Sequence, residues 1–265
     1  SIDQLYEWFR KNKGNPCLVL PTGSGKSHIV AELCKDALTQ WPETRVLMLT
    51  HVKELIQQNA EKMRQCWKGA PMGIYSAGLR KKNLSEPITF AGIQSVRKRA
   101  NEIGHIDLII VDECHLISHK NEGGYRELIN NLLAINPALR VVGLTATPYR
   151  LGHGYIDDGD ALFDDRIEPV TIEELIYKGH LATLRSKSTT TELDTSGVHK
   201  RGGEYIESEL QAAVDNSDIN DKVIQEVIHR AGDRKSWLFF CAGVDHAEHI
   251  AEALIDEGIT AATVT

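Results

Sequence analysis

The chain has 265 residues, of which 42% are hydrophobic and 25% charged, so its composition is that of a globular protein with one or two domains, neither disordered nor collagen-like. It has no apolar stretch of about 18 residues and no apolar segment near its first residue, so we expect neither a transmembrane helix nor a signal peptide. Five scattered cysteines without a Cys-x-x-Cys pair argue against a zinc site or a disulfide framework and favour the cytoplasm.

The net charge of −7 is divided unevenly along the chain. Residues 1–150 hold 20 Lys and Arg against 14 Asp and Glu, whereas residues 151–265 hold 10 against 23. The excess of positive charge in residues 1–150 permits a local surface that binds a polyanion. Ordinary solvated surface charge is the alternative explanation.

Short apolar runs alternate with helical patterns over the first 180 residues. The helical patterns include the segment GKSHIVAELCKDAL (25–38) and one with apolar residues at spacings of three and four from Leu55 to Trp67. Runs without polar alternation suit a parallel sheet buried between layers of helices, so we predict a doubly wound α/β domain. The runs are PCLVL (16–20), RVLMLT (45–50), ITFAGI (88–93), DLIIVD (107–112) and RVVGLT (140–145).

The strand and helix pattern starts again after residue 181. Two helical stripes, at 219–228 and 247–255, flank the apolar segment SWLFFCAG (236–243), which predicts a strand. The segment ITAATVT (259–265) predicts the start of another strand. Because so few strands would leave a sheet edge bare, we expect residues 181–265 to be the beginning of a second domain that is cut short.

Residues 20–27, LPTGSGKS, follow the phosphate-loop pattern G-x-x-x-x-G-K-[ST], with Leu20 in place of the first glycine. Glycines there let backbone N–H groups surround phosphate oxygens, and the start of the following helix adds positive potential. Lys26 would reach the β- and γ-phosphates, and Ser27 would ligate Mg²⁺. A glycine turn followed by a chance Lys-Ser is the alternative. The predicted ATP-binding residues are Pro21, Thr22, Gly23, Ser24, Gly25, Lys26 and Ser27.

Two acidic residues end the apolar run in LIIVDECH (108–115). Carboxylates at the end of a buried strand are costly unless they meet a cation or a proton, and this edge is where open α/β sheets bind ligands. We predict that Asp112 holds Mg²⁺ and that Glu113 orients or deprotonates the attacking water. By itself, Asp-Glu after a strand is more often a capped turn, but its combination with the phosphate loop favours the catalytic role.

Polar residues also follow the strand in GLTATPYR (143–150). Thr145 and Thr147 could be hydroxyls that cap a turn before Pro148, and physical reasoning alone does not choose between this and a functional role. His115, two residues beyond the proposed base, could likewise be an ordinary hydrogen-bonded polar residue.

The ordered set PTGSGKS, DECH and TATP resembles that of the superfamily 2 helicases, the group of the DEAD- and DEAH-box motors, which often lack the first glycine of the phosphate loop. Longer phrases such as HVKELIQQN, IVDECHLI and LFDDRIEPVTIEELIYKGHL are most similar to the bacterial RadD-type DNA-repair helicases, close to the helicase subunits of type III restriction enzymes. The resemblance implies a RecA-like P-loop NTPase fold, with a first RecA-like domain over residues 1–180 and the beginning of a second over 181–265.

The resemblance also implies roles for further residues. His115, Thr145 and Thr147 would couple ATP hydrolysis to movement. The segments THVKEL (50–55) and FAGIQSV (90–96) resemble the family's nucleic-acid-gripping motifs Ia and Ib. The implied nucleic-acid residues are Thr50, His51, Lys53, Gln94 and Ser95, with the basic triplets Arg80, Lys81, Lys82 and Arg97, Lys98, Arg99 close by, unless these triplets are only solvated loops.

From these features we expect the core fragment of an ATP-dependent DNA helicase or translocase that uses Mg-ATP in DNA repair or recombination. A restriction-enzyme motor and a nucleotide-gated nucleic-acid clamp are the alternatives. In the family, an adenine-reading glutamine and an arginine finger would lie outside residues 1–265, so we expect weak hydrolysis by this stretch of chain. The resemblance also suggests single-strand-binding protein as a partner. We expect no membrane association.

Overall fold

The computed structural model describes residues 1–117, 123–150, 154–159, 161–186, 188–201, 204–232 and 234–264. The chain forms two compact units, Ser1–Thr183 and Leu184–Thr265. No helix of the described residues is long and apolar enough to cross a membrane.

The first unit is built on an eight-stranded sheet in the order β10-β1-β7-β6-β2-β5-β3-β4. Every neighbouring pair is parallel except β3 and β4, which form an antiparallel hairpin at one edge. Strands β8 and β9 form a separate antiparallel pair. The strands are β1 (Pro16–Val19), β2 (Val46–Thr50), β3 (Met72–Ser76), β4 (Lys81–Lys82), β5 (Ile88–Gly92), β6 (Leu108–Asp112), β7 (Arg140–Thr145), β8 (Tyr149–Arg150), β9 (Gly154–Tyr155) and β10 (Asp165–Ile167).

Helices cover both faces of this sheet, and every residue of β2, β5 and β6 is buried. Alternate residues of one strand belong to different cores: Leu47 and Leu49 pack on one face, and Val46 and Met48 on the other. The prediction of an α/β fold with a parallel sheet between helices is confirmed. The helices of this unit are α1 (Ile2–Lys11), α2 (Lys26–Gln40), α3 (Lys53–Cys66), α4 (Ile93–Val96), α5 (Ala100–Ile103), α6 (Gly124–Ile135) and α7 (Ile172–Tyr177), with a 3₁₀ turn at Cys114–Leu116.

The second unit contains three helices and one short hairpin among its described residues. They are α8 (Glu207–Val214), α9 (Ser217–Ala231), α10 (Val244–Asp256), β11 (Lys200–Arg201) and β12 (Glu204–Tyr205). The helices α9 and α10 coincide with the two predicted apolar stripes and pack through Ile224, Ile250 and Leu254.

The strands expected at 236–243 and from 259 onward do not form in the described part of these segments. Side chains on one side, such as Trp237 and Phe239, pack against the α9–α10 core, whereas Leu238 and Phe240 are exposed. A strand requires hydrogen bonds to a neighbouring strand, and an apolar sequence does not by itself provide that neighbour. The assignment of this unit as the beginning of a second RecA-like domain stays a prediction.

Candidate active site

The three polar segments that the sequence singles out come together at the carboxyl edge of the sheet. Strands β1, β7 and β6 are consecutive neighbours and parallel, so the loops that follow them lie side by side. The Leu20 N–H donates to the Thr145 carbonyl oxygen at 2.7 Å, which links the start of the phosphate loop to the end of β7. Leu20 is fully buried, so its side chain serves the core.

The loop between β1 and α2 has the backbone conformation that its glycines allow. Gly23 and Gly25 have φ angles of +86° and +83°, in the left-handed region where side chains are disfavoured. A Cβ atom at Gly25 would meet no atom within 4 Å in the described part of the chain, so the loop is open on that side there. The buried Ser24 Oγ has no hydrogen-bond partner among the described residues, and a phosphate oxygen is a group that would satisfy it.

Lys26, the first residue of α2, reaches both acidic residues at the end of β6. Its Nζ lies 2.8 Å from Glu113 Oε1 and 3.4 Å from Asp112 Oδ1. Burial lowers the pKa of Lys26, but the charges of Asp112 and Glu113 outweigh burial and raise it overall. Lys26 is therefore a fixed cation between the phosphate loop and the two carboxylates.

Asp112 is only 6% exposed and has a hydrogen-bond donor at each oxygen. The Glu113 N–H donates to Oδ1 at 3.1 Å, and the Asn59 side-chain amide donates to Oδ2 at 2.7 Å. A cavity of about 10 Å³ next to this carboxylate is also lined by Ser27 and Lys26. A carboxylate and a hydroxyl are hard oxygen ligands, so Asp112 and Ser27 fit Mg²⁺, which takes few protein ligands beside phosphate.

Asn59 is a site residue that the sequence reasoning missed. It lies on α3, three residues after Ile56 and one before Ala60, both of which are buried. Its position thus falls within the apolar stripe that packs on the sheet. A polar residue in such a stripe is the signal that could have revealed it.

Glu113 has an unusual backbone, with φ 49° and ψ 48°. A non-glycine residue in the left-handed region costs roughly 1–3 kcal/mol, and such strain concentrates at functional sites. This conformation begins the 3₁₀ turn at Cys114–Leu116 and brings Glu113 Oε2 to 3.4 Å from His115 Nδ1.

A chain of hydrogen bonds connects this turn to the end of β7. His115 Nδ1 lies 2.9 Å from Thr145 Oγ1, and the Thr147 N–H donates to the same oxygen at 3.0 Å. Thr145 is fully buried, whereas Thr147 is exposed. The structure thus joins Glu113, His115, Thr145 and Thr147, all of which are among the predicted site residues.

The predicted nucleic-acid residues lie at the end of β2 and in the segments that follow β2 and β5, farther along the same edge. His51, Lys53 and Gln94 are exposed. Thr50 is buried and its hydroxyl donates to the Val52 carbonyl oxygen at 3.3 Å, so it closes a turn. Ser95 Oγ accepts a hydrogen bond from the Ala77 N–H at 3.0 Å. The side chains of Thr50 and Ser95 therefore have partners within the protein.

Residues 1–150 match the family model described as the res subunit of type III restriction enzymes. The chain belongs to this family. It is 22% identical over 97% of its length to a type I restriction enzyme EcoAI endonuclease subunit of Escherichia coli, of which the match covers 33%. It is 26% identical over 95% of its length to a helicase POLQ-like protein of Drosophila melanogaster, of which the match covers 25%.

Among solved structures, the Hef helicase domain of Pyrococcus furiosus is similar with a TM-score of 0.51 and 17% identity, over 97% of this chain and 53% of that one. This likeness agrees with the fold described above. The family match and the restriction-enzyme and helicase relatives support membership of the superfamily 2 helicase group. It spans a third or less of the length of the two relatives named here.

Proposed function

We propose that this chain is the ATP-hydrolysing core of a DNA helicase or translocase. The observation that carries the proposal is the contact of Lys26 with both Asp112 and Glu113, beside a phosphate loop with two left-handed glycines. Phosphoryl transfer depends on positioning and on charge stabilisation, and this cluster offers a cation, a metal-ligating carboxylate and a base within one site.

In this proposal Lys26 changes partners when ATP binds. The β- and γ-phosphates compete with Glu113 for the ammonium group, because phosphate oxygens carry more negative charge than one carboxylate. Release of Glu113 from Lys26 leaves its carboxylate free to accept a proton from the attacking water. Backbone N–H groups of residues 21–27 and the start of α2 hold the phosphates.

Asp112 and Ser27 would hold Mg²⁺. The bound ion would supply positive charge that offsets the negative charge developing on the transferred phosphate. Asn59 and the Glu113 N–H keep both oxygens of Asp112 oriented through their hydrogen bonds. A preorganised carboxylate of this kind loses little conformational freedom when it binds a cation.

The hydrogen-bonded series His115–Thr145–Thr147 would transmit the state of the base to the loop after β7. Nucleic acid would lie along the far end of the same edge, over His51, Lys53 and Gln94. Contacts of this type bind the sugar-phosphate backbone without sequence preference. DNA as the substrate, and repair or recombination as the role, come from the resemblance to RadD-type helicases.

A motor subunit of a restriction enzyme is the second candidate, favoured by the family match over residues 1–150 and by the Escherichia coli relative. The same site chemistry serves both candidates. A nucleotide-gated clamp, a partner such as single-strand-binding protein and a cytoplasmic location stay expectations from sequence.

The test is ATP hydrolysis by the full-length protein with and without single-stranded DNA, together with strand displacement on a forked duplex. We expect DNA to stimulate hydrolysis at least tenfold. Stimulation without displacement favours a translocase or a clamp. If neither DNA nor RNA changes the rate of ATP hydrolysis, the proposal of a nucleic-acid motor is contradicted.

A further inference from the structure

The β3–β4 hairpin carries three consecutive cations that the functional site does not use. Strands β3 and β4 pair through Tyr75 with Lys82 and Ser76 with Lys81, and residues 77–80 form the turn. Because β3 is parallel to β5, this turn emerges at the same edge of the sheet as the proposed nucleic-acid residues. Arg80, Lys81 and Lys82 are all exposed.

The turn is fixed against both segments that are proposed to hold nucleic acid. The Ala77 N–H donates to Ser95 Oγ at 3.0 Å, in the segment that follows β5. The Gly78 backbone also packs against the side chain of Lys53, in the segment that follows β2, since a Cβ atom at Gly78 would lie 3.3 Å from Lys53 Cδ. The Leu79 N–H also donates to Ser76 Oγ, so the turn has an internal bond.

The surroundings of the hairpin are strongly positive. The turn with β4 (residues 77–82) and the segment after β5 (residues 94–99) together hold six Lys and Arg and no Asp or Glu. In the part of the chain that the structure describes, neither Arg80 nor Lys81 forms an ion pair. Arg80 also has a φ angle of +52°, a conformation that a non-glycine residue seldom adopts. This conformation costs stability, and no ion pair in the described part of the chain offsets that cost, so stability of the fold does not explain an arginine at this position.

We propose that the β3–β4 hairpin is an additional nucleic-acid contact, in which Arg80, Lys81 and Lys82 bind backbone phosphates next to the strand held by Lys53 and Gln94. The inference rests on the proposed function and extends its nucleic-acid site outward by one strand. From β2 across β5 to β3 is about 10 Å, enough for more than one phosphate of a bound strand. Ser95 is then a positioning residue, since it holds the turn through Ala77.

Protection of the sheet edge is the competing explanation for the two lysines. Strand β4 is the edge strand, and lysine on an edge strand discourages pairing with another chain. Arg80 lies in the turn and not in the strand, so edge protection does not account for it.

The test compares two triple variants of the full-length protein. Arg80→Gln, Lys81→Gln and Lys82→Gln remove the hairpin charges. The control removes three charges from exposed positions near the end of α3, with Lys62→Gln, Arg64→Gln and Lys68→Gln. Binding to a labelled single-stranded oligonucleotide is measured from 50 to 200 mM salt, alongside ATP affinity and a thermal melt.

We expect the hairpin variant to bind DNA at least tenfold more weakly at low salt. The slope of the logarithm of the binding constant against the logarithm of the salt concentration should fall in magnitude by about 2, because each single-strand phosphate contact contributes about 0.7 to it. The control should change affinity less than twofold. Arg80→Gly gives a second readout, because glycine relieves the left-handed φ: stability should hold or rise while DNA affinity falls.

If the hairpin variant binds DNA with the affinity and the salt dependence of the wild type, the inference is overturned. If that variant also aggregates, the role of the lysines is to protect the sheet edge. This result leaves the proposed function standing as long as DNA still stimulates ATP hydrolysis by the wild type. A wild type that binds ATP but no nucleic acid contradicts the hairpin contact and the motor function together.

Discussion

Thr145 and His115 are joined by a 2.9 Å hydrogen bond between Oγ1 and Nδ1, across the boundary between β7 and the turn after β6. Thr145 Oγ1 also accepts the Thr147 N–H, and it is fully buried. His115 Nδ1 is also 3.4 Å from Glu113 Oε2, so the side chains of His115 and Thr145 connect the proposed base Glu113 to the loop after β7. Under the proposed function, this contact would couple ATP hydrolysis to movement of the loop after β7.

Replacement of Thr145 by valine should separate hydrolysis from its stimulation by DNA. The change keeps the shape but removes the shared oxygen and leaves the Thr147 N–H without this partner, at a cost of about 1–3 kcal/mol in stability. We expect ATP affinity within about threefold of wild type and loss of most DNA stimulation. Thr89→Val, at a buried threonine of β5, is the matched control. Full stimulation in Thr145→Val would show that the bond is only structural.

Replacement of Glu113 by glutamine should leave Mg-ATP binding nearly intact and slow hydrolysis by 10²–10⁴-fold, as expected for loss of a general base. Glutamine keeps the length of the side chain and can still contact its neighbours, but it cannot take a proton. The measurement is single-turnover hydrolysis with saturating ATP. A wild-type rate would remove Glu113 from the proposed mechanism and leave Asp112 as its remaining acidic residue.

Replacement of Asn59 by leucine should weaken the dependence on Mg²⁺ specifically. The Asn59 amide donates to Asp112 Oδ2, and a hydrogen bond to a charged group contributes about 1.5–3 kcal/mol. We expect half-maximal hydrolysis to need about tenfold more Mg²⁺, whereas nucleotide affinity without metal stays the same. Gln57→Leu, on the exposed side of α3, should leave the Mg²⁺ titration unchanged. An unaltered titration for Asn59→Leu would mean that the amide does not orient Asp112.

Replacement of Gly143 by alanine should destabilise the first unit. A Cβ atom there would lie 2.6 Å from a ring carbon of Phe163 and 2.8 Å from Cys114 Sγ. Forcing extra volume into a packed core costs about 1–3 kcal/mol, which is several degrees in Tm. At Gly123, where a Cβ atom would meet no atom of the described residues within 4 Å, alanine should cost less than about 1 kcal/mol. Equal melting temperatures for the two variants would contradict this packing.

The apolar runs of the sequence predict the central strands because those strands are buried on both faces, as in RVLMLT and DLIIVD. They do not predict β3, where glycine and serine interrupt the run MGIYS, or β4, which consists of two lysines. Both lie toward the edge of the sheet, where strand formation depends on the neighbouring strand more than on hydrophobicity. The same dependence explains the wrong strand prediction at 236–243, a strongly apolar segment that pairs with no strand in the part of the chain that the structure describes.

The sequence predicts the site residues that lie in contiguous motifs, since Lys26, Asp112 and Glu113 each follow or precede a strand in a recognisable order. It does not predict Asn59, because the contact of Asn59 with Asp112 depends on how α3 packs against the sheet. Nor does it predict that the Ser95 hydroxyl holds the hairpin turn through Ala77, 18 positions earlier in the chain. Contacts of this kind arise from tertiary structure and leave little trace in local spacing.

Nucleotide titration of Lys26→Ala, with a thermal melt alongside, tests whether Lys26 is the cation of an ATP site. Loss of a charged hydrogen bond to phosphate, about 1.5–3 kcal/mol, predicts an affinity about 10–150-fold weaker in a protein that still folds. Lys35→Ala, at an exposed position on the same helix, should bind ATP as wild type does. Unchanged ATP affinity in a folded Lys26→Ala protein would show that Lys26 is not the cation of an ATP site.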